Sequence, residues 1–251
     1  MIDHAGTFGP MNWYARGRRR STEKWAANAI QAARSSSGAD QIPANPVEAI
    51  AFHRDNTGKE LPADTAAVEL LNLLRPVVAV SNFIVFAALA LAQHRQWKDK
   101  LCGSDDADLH RFAQEVRRYY PFFPFVGGTA TRHLEWAGHA FKPGDWVLLD
   151  LYGTNHDPRS WEDPESFNPD RFRDWQPDAH TLIPQGAGDH FTGHRCPGED
   201  ITVDLIKRAI QSLAAAPDLQ VPAQDLNFSL SNMPALPKSG FILDPRPPVR
   251  R

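Results

Sequence analysis

Gly193-His194-Arg195-Cys196-Pro197-Gly198-Glu199 sets one cysteine between two glycines, directly ahead of a segment that reads as helix from Pro197 to about Ala216. Proline suits the first position of a helix, and Gly198 allows the backbone to approach a large flat ligand. A thiol at this point sits at the positive end of a helix dipole and can accept from free N–H groups, which favours the thiolate. Thiolate is the form that binds iron. Read on this loop alone, Cys196 also fits a small buried hydrophobe.

Upstream, Glu115 and Arg118 form a Glu-x-x-Arg pair on one face of a helix predicted over about Asp106–Tyr120, which ends before Pro121. Arg171 lies in Phe167-Asn-Pro-Asp-Arg-Phe172. By spacing alone the Glu115–Arg118 pair could equally be an ordinary surface ion pair, which contributes little. Asp64–Ala92 reads as one long helix, with Asp64 as N-cap after Pro62 and apolar residues all round its second half. A further helix starts from Ser21 as cap, after the basic run Arg16-Gly-Arg-Arg-Arg20, a solvated face. A strand is expected over Trp146–Tyr152, after the turn at Lys142-Pro-Gly144. The tail, with Pro222, Pro234, Pro237 and Gly240, suggests irregular turns and a short hairpin. The expected fold class is mainly α with small β-sheets, in one continuous domain. The nearest thing to a linker is Ser35–Gly38 with the Pro43 and Pro46 region.

Composition narrows the partners. With 251 residues, 42% of them hydrophobic, the chain suffices for a real core. Its formal charge of −3 favours neither nucleic acid nor an anionic membrane. Cys102 and Cys196 are too few for a disulfide framework, which points to a reducing, cytoplasmic setting. The first ten residues lack the apolar core of a signal peptide. The most apolar stretch, Val77–Ala92, is broken by Ser81 and Asn82 and falls short of the roughly 20 residues a bilayer requires, so a buried helix and no membrane span are expected. The histidines show no metal-ligand spacing of the His-Glu-x-x-His kind.

Inside the long helix stands Asn72-Leu-Leu-Arg75-Pro76-Val-Val. Pro76 cannot donate to the carbonyl of Asn72 and its ring crowds that turn, so a kink is expected at a cost of roughly 3 kcal/mol. Arg75 has mostly apolar neighbours; burying it demands an anion, and its planar fork suits a carboxylate. Glu69 or plain solvent would satisfy it as well.

The order of these motifs, Glu-x-x-Arg, then Phe-x-Pro-x-Arg-Phe, then Cys-x-Gly before the last long helix, resembles the cytochrome P450 superfamily. The resemblance implies haem b with Cys196 as its axial iron ligand, and a buried triad of Glu115, Arg118 and Arg171 behind the haem loop. The loop departs from the superfamily's usual pattern: Asp189, Thr192 and His194 stand where phenylalanine, glycine and arginine are customary. Pro184-Gln-Gly-Ala-Gly188, Asp150-Leu-Tyr-Gly-Thr-Asn-His-Asp-Pro158, Arg117-Arg-Tyr-Tyr-Pro-Phe122 and the Arg75-Pro76 pair are instead similar to the fatty-acid peroxygenase branch, which includes alkene-forming decarboxylases. That branch implies a long-chain fatty acid and hydrogen peroxide as substrates, alpha or beta hydroxylation or decarboxylation, and no obligatory reductase. The substrate carboxylate, salt-bridged to Arg75 beside Pro76, then serves as general acid–base in place of the absent acid–threonine pair. His194 and Gly198 are expected to contact the haem, and Phe123 and Phe125 to line the acyl channel, although such an aromatic cluster also serves as plain core. By the same comparison residues 1–251 are the C-terminal portion of a single haem-thiolate domain whose N-terminal portion is missing. The alternatives are a reductase-dependent monooxygenase and an inactive truncated fragment that cannot hold haem.

Overall fold

The computed structural model describes residues 10–36, 42–216 and 220–244. Along the chain run α1 (Pro10–Ser36), α2 (Pro46–Ala51), α3 (Ala63–Gln93), α4 (Arg95–Leu101), α5 (Asp106–Tyr119), β1 (Phe125–Thr129), β2 (Leu134–Trp136), β3 (His139–Phe141), β4 (Trp146–Asp150), α6 (Leu151–Asn155), a 3₁₀ turn (Pro169–Phe172) and α7 (Glu199–Ala215). This is the expected mainly helical class with small sheets. The chain divides into two compact units, residues 1–79 and 80–251, and α3 contributes residues to both.

In the first unit, Ala26 and Ile30 of α1, Ala51 of α2 and Ala66, Ala67 and Leu70 of α3 are buried together. The alanines let the helix backbones approach closely. Arg34 donates to the carbonyls of Ala51 and Leu61, both at 2.8 Å, satisfying the orphan end of α2. Asn45 caps α2 by accepting from the Glu48 amide, and Glu48 returns the bond to the Ala44 amide. α1 corrects one expectation, because it starts at Pro10 rather than at Ser21. Arginine is a strong helix former and proline suits a first turn, so the basic run 16–20 lies inside the helix and Ser21 does not cap it. Ser37 and Gly38 of the expected linker, and the first nine residues, lie outside the described residues.

α3 begins one residue before the expected Asp64. The carbonyl of Pro62 accepts from the Ala66 amide, and Asp64 sits in the first turn. Pro76 is inside the helix. From Val80 to Leu91 the side chains at 80, 83 and 86–91 are buried. At 31 residues α3 is long and apolar enough to cross a membrane by length and composition, with 44% of its most apolar window buried in the structure. The helix matches its expected span to within a residue at each end, and the expectation of no membrane span rested on its apolar stretch 77–92 alone.

In the second unit, Phe86 stacks on Tyr120 with ring centroids 4.9 Å apart, and Phe83 meets Phe122 at 4.5 Å. α5 is capped by Asp105, which accepts from the Asp108 amide at 2.9 Å, and it packs against both α7 and the 3₁₀ turn. β1 pairs antiparallel with β4, from Phe125 opposite Asp150 to Thr129 opposite Trp146, and β2 pairs with β3. The turn at Lys142–Gly144 forms as expected, with Gly144 at a positive φ. The strand expected to reach Tyr152 stops at Asp150, because that side chain accepts from the Gly153 amide at 2.7 Å and caps α6. In the tail, amides of Lys238, Ser239 and Asp244 donate to carbonyls of Asn227, Asp225 and Gln220, an irregular hairpin.

Candidate functional site

The structure brings Glu115, Arg118 and Arg171 together. Glu115 and Arg118 are both fully buried and bond through two parallel contacts of 2.8 Å. Arg171 reaches the same carboxylate at 3.1 Å, and the Asn168 amide donates to it at 2.8 Å. The spare donors of Arg118 go to the carbonyls of Asn155, Pro164 and Ser166, and those of Arg171 to Glu162, Asp163 and Ser166. One carboxylate thus fixes α5 to the whole 162–172 segment. Two guanidiniums sharing one buried anion are tolerated because backbone carbonyls satisfy the remaining donors.

The cysteine loop lies in the same unit. The Cys196 amide donates to the Gln185 carbonyl at 3.0 Å, pinning the end of the loop to its beginning. Between them the chain turns tightly around Asp189, whose Oδ1 accepts from the Phe191 and Thr192 amides at 2.9 Å and from the Thr192 hydroxyl at 3.0 Å. These bonds hold its carboxyl below the usual range. Gly193 belongs to this turn: a Cβ there would stand 2.7 Å from the Asp189 carbonyl oxygen. Asp189 and Thr192, where the sequence departs from the superfamily pattern, thus both take part in closing this turn.

α7 starts at Glu199, two residues later than expected. Pro197 and Gly198 form a turn in which the Cys196 carbonyl accepts from the Glu199 amide. Cys196 is half-buried at this amino end and carries a free thiol. Gly198 lies against this sulfur: a Cβ there would stand 3.8 Å from it, in ordinary van der Waals contact. Among the described residues no group of three or more His, Cys, Asp and Glu is arranged to hold a metal ion. The donor set fits an iron that takes one protein thiolate and draws its other ligands from a flat macrocycle.

A second buried network supports the loop, and motif reading assigned it no role. Arg117, 1% exposed, bonds to the carboxylate of Glu199 and to the side chains of Gln114 and Gln185. Glu199 also accepts from Arg195 at 2.5 and 3.1 Å. Burial pushes the Glu199 carboxyl up, but the two guanidiniums outweigh it and hold it below the usual range. Gln185 joins the parts: its carbonyl takes the Cys196 amide, while its side chain bonds Arg117 and, at 3.4 Å, the Thr202 hydroxyl. Arg117 and Glu199 both stood within the quoted motifs, yet only the fold shows them meeting across 82 positions.

The remaining expected residues are placed individually. Arg75 is exposed and, among the described residues, makes no ion pair; Glu69 instead accepts from Asn72 at 3.5 Å. Pro76 is exposed beside it, and Leu73, Val77 and Val78 expose 46%, 62% and 65% of their surface. Arg75 is therefore not buried among apolar neighbours within the described chain, since that face of α3 is open. Phe123 is half-buried against Phe122 and Phe125 is half-buried at the start of β1. His194 is exposed on the cysteine loop. His156 is buried, its Nδ1 2.9 Å from the Tyr152 carbonyl.

Residues 109–210, from α5 to α7, match the family model described as Cytochrome P450. Solved structures of cytochrome P450SP alpha (CYP152B1) are similar at 44% identity and TM-score 0.83, covering 96% of this chain and 59% of that chain. Cytochrome P450EX alpha (CYP152N1) with myristic acid is 39% identical with TM-score 0.81, covering 96% and 58%. A variant of cytochrome P450 OleT in complex with arachidonic acid is 36% identical with TM-score 0.82, covering 95% and 56%. Among curated proteins, a flavonoid-6-hydroxylase of Ocimum basilicum is 29% identical over 203 residues, which are 74% of this chain and 37% of that protein. The chain thus spans a little over half the length of these structures and about a third of that relative.

Proposed function

The chain belongs to the cytochrome P450 family, and on that premise we propose that it carries the thiolate and carboxylate-binding parts of a fatty-acid peroxygenase. The reaction is hydroxylation at the alpha or beta carbon, or decarboxylation, of a long-chain fatty acid with hydrogen peroxide. The observation that carries this reading is the cysteine loop: one free thiol at the amino end of α7, tied to Gln185 and flanked by glycine, with no other metal-ligating cluster among the described residues. Likeness to structures holding myristic and arachidonic acid supports the substrate class.

Haem b, when bound, supplies the transfer of an oxygen atom from peroxide to carbon. Cys196 would hold its iron, with Gly198 beside the sulfur, and the exposed His194 would bond a propionate. Arg75 takes the fatty-acid carboxylate through two parallel hydrogen bonds, and the carboxylate so held moves the peroxide proton as general acid–base. Pro76 removes the backbone donor that would satisfy the Asn72 carbonyl. Phe123 and Phe125 line the path of the acyl chain. Glu115, Arg118 and Arg171 hold the scaffold behind the thiolate. We read α3 as a core helix of one haem-thiolate domain rather than a membrane span, supported by its buried Phe83 and Phe86–Leu91. A cytoplasmic setting accords with two free cysteines.

The test is a carbon monoxide difference spectrum of the reduced chain, followed by turnover of a long-chain fatty acid with peroxide alone. Thiolate-type absorption and hydroxylated or decarboxylated product are expected. Product only with an electron donor and molecular oxygen would make it a reductase-dependent monooxygenase. Failure to retain haem would make it a fragment without activity.

A further inference from the structure

We propose that Arg117 and Glu199 form a buried clamp that positions the Cys196 loop for iron ligation, a support separate from the Glu115 cluster; the inference rests on the haem-thiolate reading above. Arg117 projects from α5 and Glu199 opens α7, so their bond joins the two helices at the point where the loop returns. Both side chains are buried, at 1% and 5% exposure. Arg117 also holds Gln185, whose carbonyl carries the Cys196 amide, so the guanidinium acts on both ends of the loop.

Glu199 is the shared partner of the cluster. Glu199 answers two guanidiniums, those of Arg117 and Arg195, with His190 at its edge, 3.7 Å away and half exposed. Arg117 and Glu199 are thus positioning residues, acting through the loop that carries Cys196. The Glu115 cluster cannot replace them, because its bonds run to the 155–171 segment.

The experiment compares the wild-type chain with the double variant Arg117→Gln/Glu199→Gln. Both charges are removed together because deleting one partner of a buried pair strands the other; Arg195, which also loses Glu199, keeps its bond to the Asp178 carbonyl. In the chain without haem, amide hydrogen exchange over 185–199 is expected to accelerate about tenfold, while the Asn168 amide at the Glu115 cluster keeps its wild-type rate. In the haem-loaded chain, the thiolate-type carbon monoxide band is expected to convert to the neutral-thiol form about tenfold faster. Wild-type exchange in the loop, or a wild-type band lifetime, would overturn the clamp. Should the double variant fail to fold, Arg195→Gln, which loosens one side of Glu199, replaces it with the same two readings. If the wild-type chain itself shows no thiolate band, the peroxygenase reading fails, and the exchange measurement still decides the clamp.

Discussion

Gly186 and His194 cross so closely that a Cβ added at Gly186 would stand 2.1 Å from the His194 carbonyl oxygen. The two ends of the cysteine loop therefore touch backbone to backbone, and Gly186 holds a φ of +99° to allow it.

Gly186→Ala meets this clash and a backbone conformation that costs a non-glycine residue roughly 1–2 kcal/mol by itself. The neighbour is backbone and cannot swing aside. A loss of stability above that figure is expected in urea unfolding, together with loss of haem retention. An alanine variant that unfolds at the wild-type midpoint and still holds haem would show that the loop does not close this way.

Among the described residues Glu115 is the sole carboxylate between Arg118 and Arg171. Glu115→Gln leaves two buried guanidiniums without their anion, so a loss of about 3–5 kcal/mol is expected. The exposed Arg19–Glu23 pair provides the control, since Arg19→Ala should change stability by less than about 1 kcal/mol. Equal effects in the two denaturant curves would refute the assignment of Glu115 to a buried cluster.

Arg75 is exposed and unpaired among the described residues, so Arg75→Ala should leave the melting temperature unchanged. One charge-assisted bond to a carboxylate is worth about 1.5–3 kcal/mol, so the proposed pairing sets an expected loss of fatty-acid affinity of at least roughly ten- to a hundredfold. Titration with a fatty acid and with its methyl ester separates the effect: only the free acid should bind the wild type more tightly. Equal affinities for the acid in both proteins would remove Arg75 from the site.

Burial holds His156 below the ordinary imidazole value of 6.5, the Tyr152 carbonyl opposing this only in part, and its Nε2 is buried without a partner. The unfolded chain therefore takes up this proton at a higher pH than the folded one. The stability due to keeping His156 neutral is present above 6.5 and is lost as pH falls below it toward the folded value. Melting temperatures from about pH 8 down to about pH 5 should fall more steeply for the wild type than for His156→Gln, across the range in which histidine titrates. Parallel curves would mean that His156 protonates freely in the fold.

Much of the fold was legible because its signals are local. α5 lies within one residue of its expected span, Asp105 capping its start and Pro121 following its end. The Glu-x-x-Arg spacing puts Glu115 and Arg118 on one face whatever surrounds them. Errors fell where a local choice had two good answers. The basic run 16–20 suits a solvated lead-in and a helix alike, and Asp150 can end a strand or cap a helix.

The amino-acid order alone determined that one cysteine would stand free at the start of the last helix, behind a Glu-x-x-Arg pair and a third arginine. It could not determine which buried guanidinium meets which carboxylate. Arg117 and Arg118 are neighbours in the chain, yet α5 turns one toward Glu199 and the cysteine loop and the other toward Glu115, Arg171 and the 155–166 carbonyls. The reason is angular: adjacent residues on a helix point about 100° apart, and only the packing of α7 on one side and the 3₁₀ turn on the other gives each charge its partner.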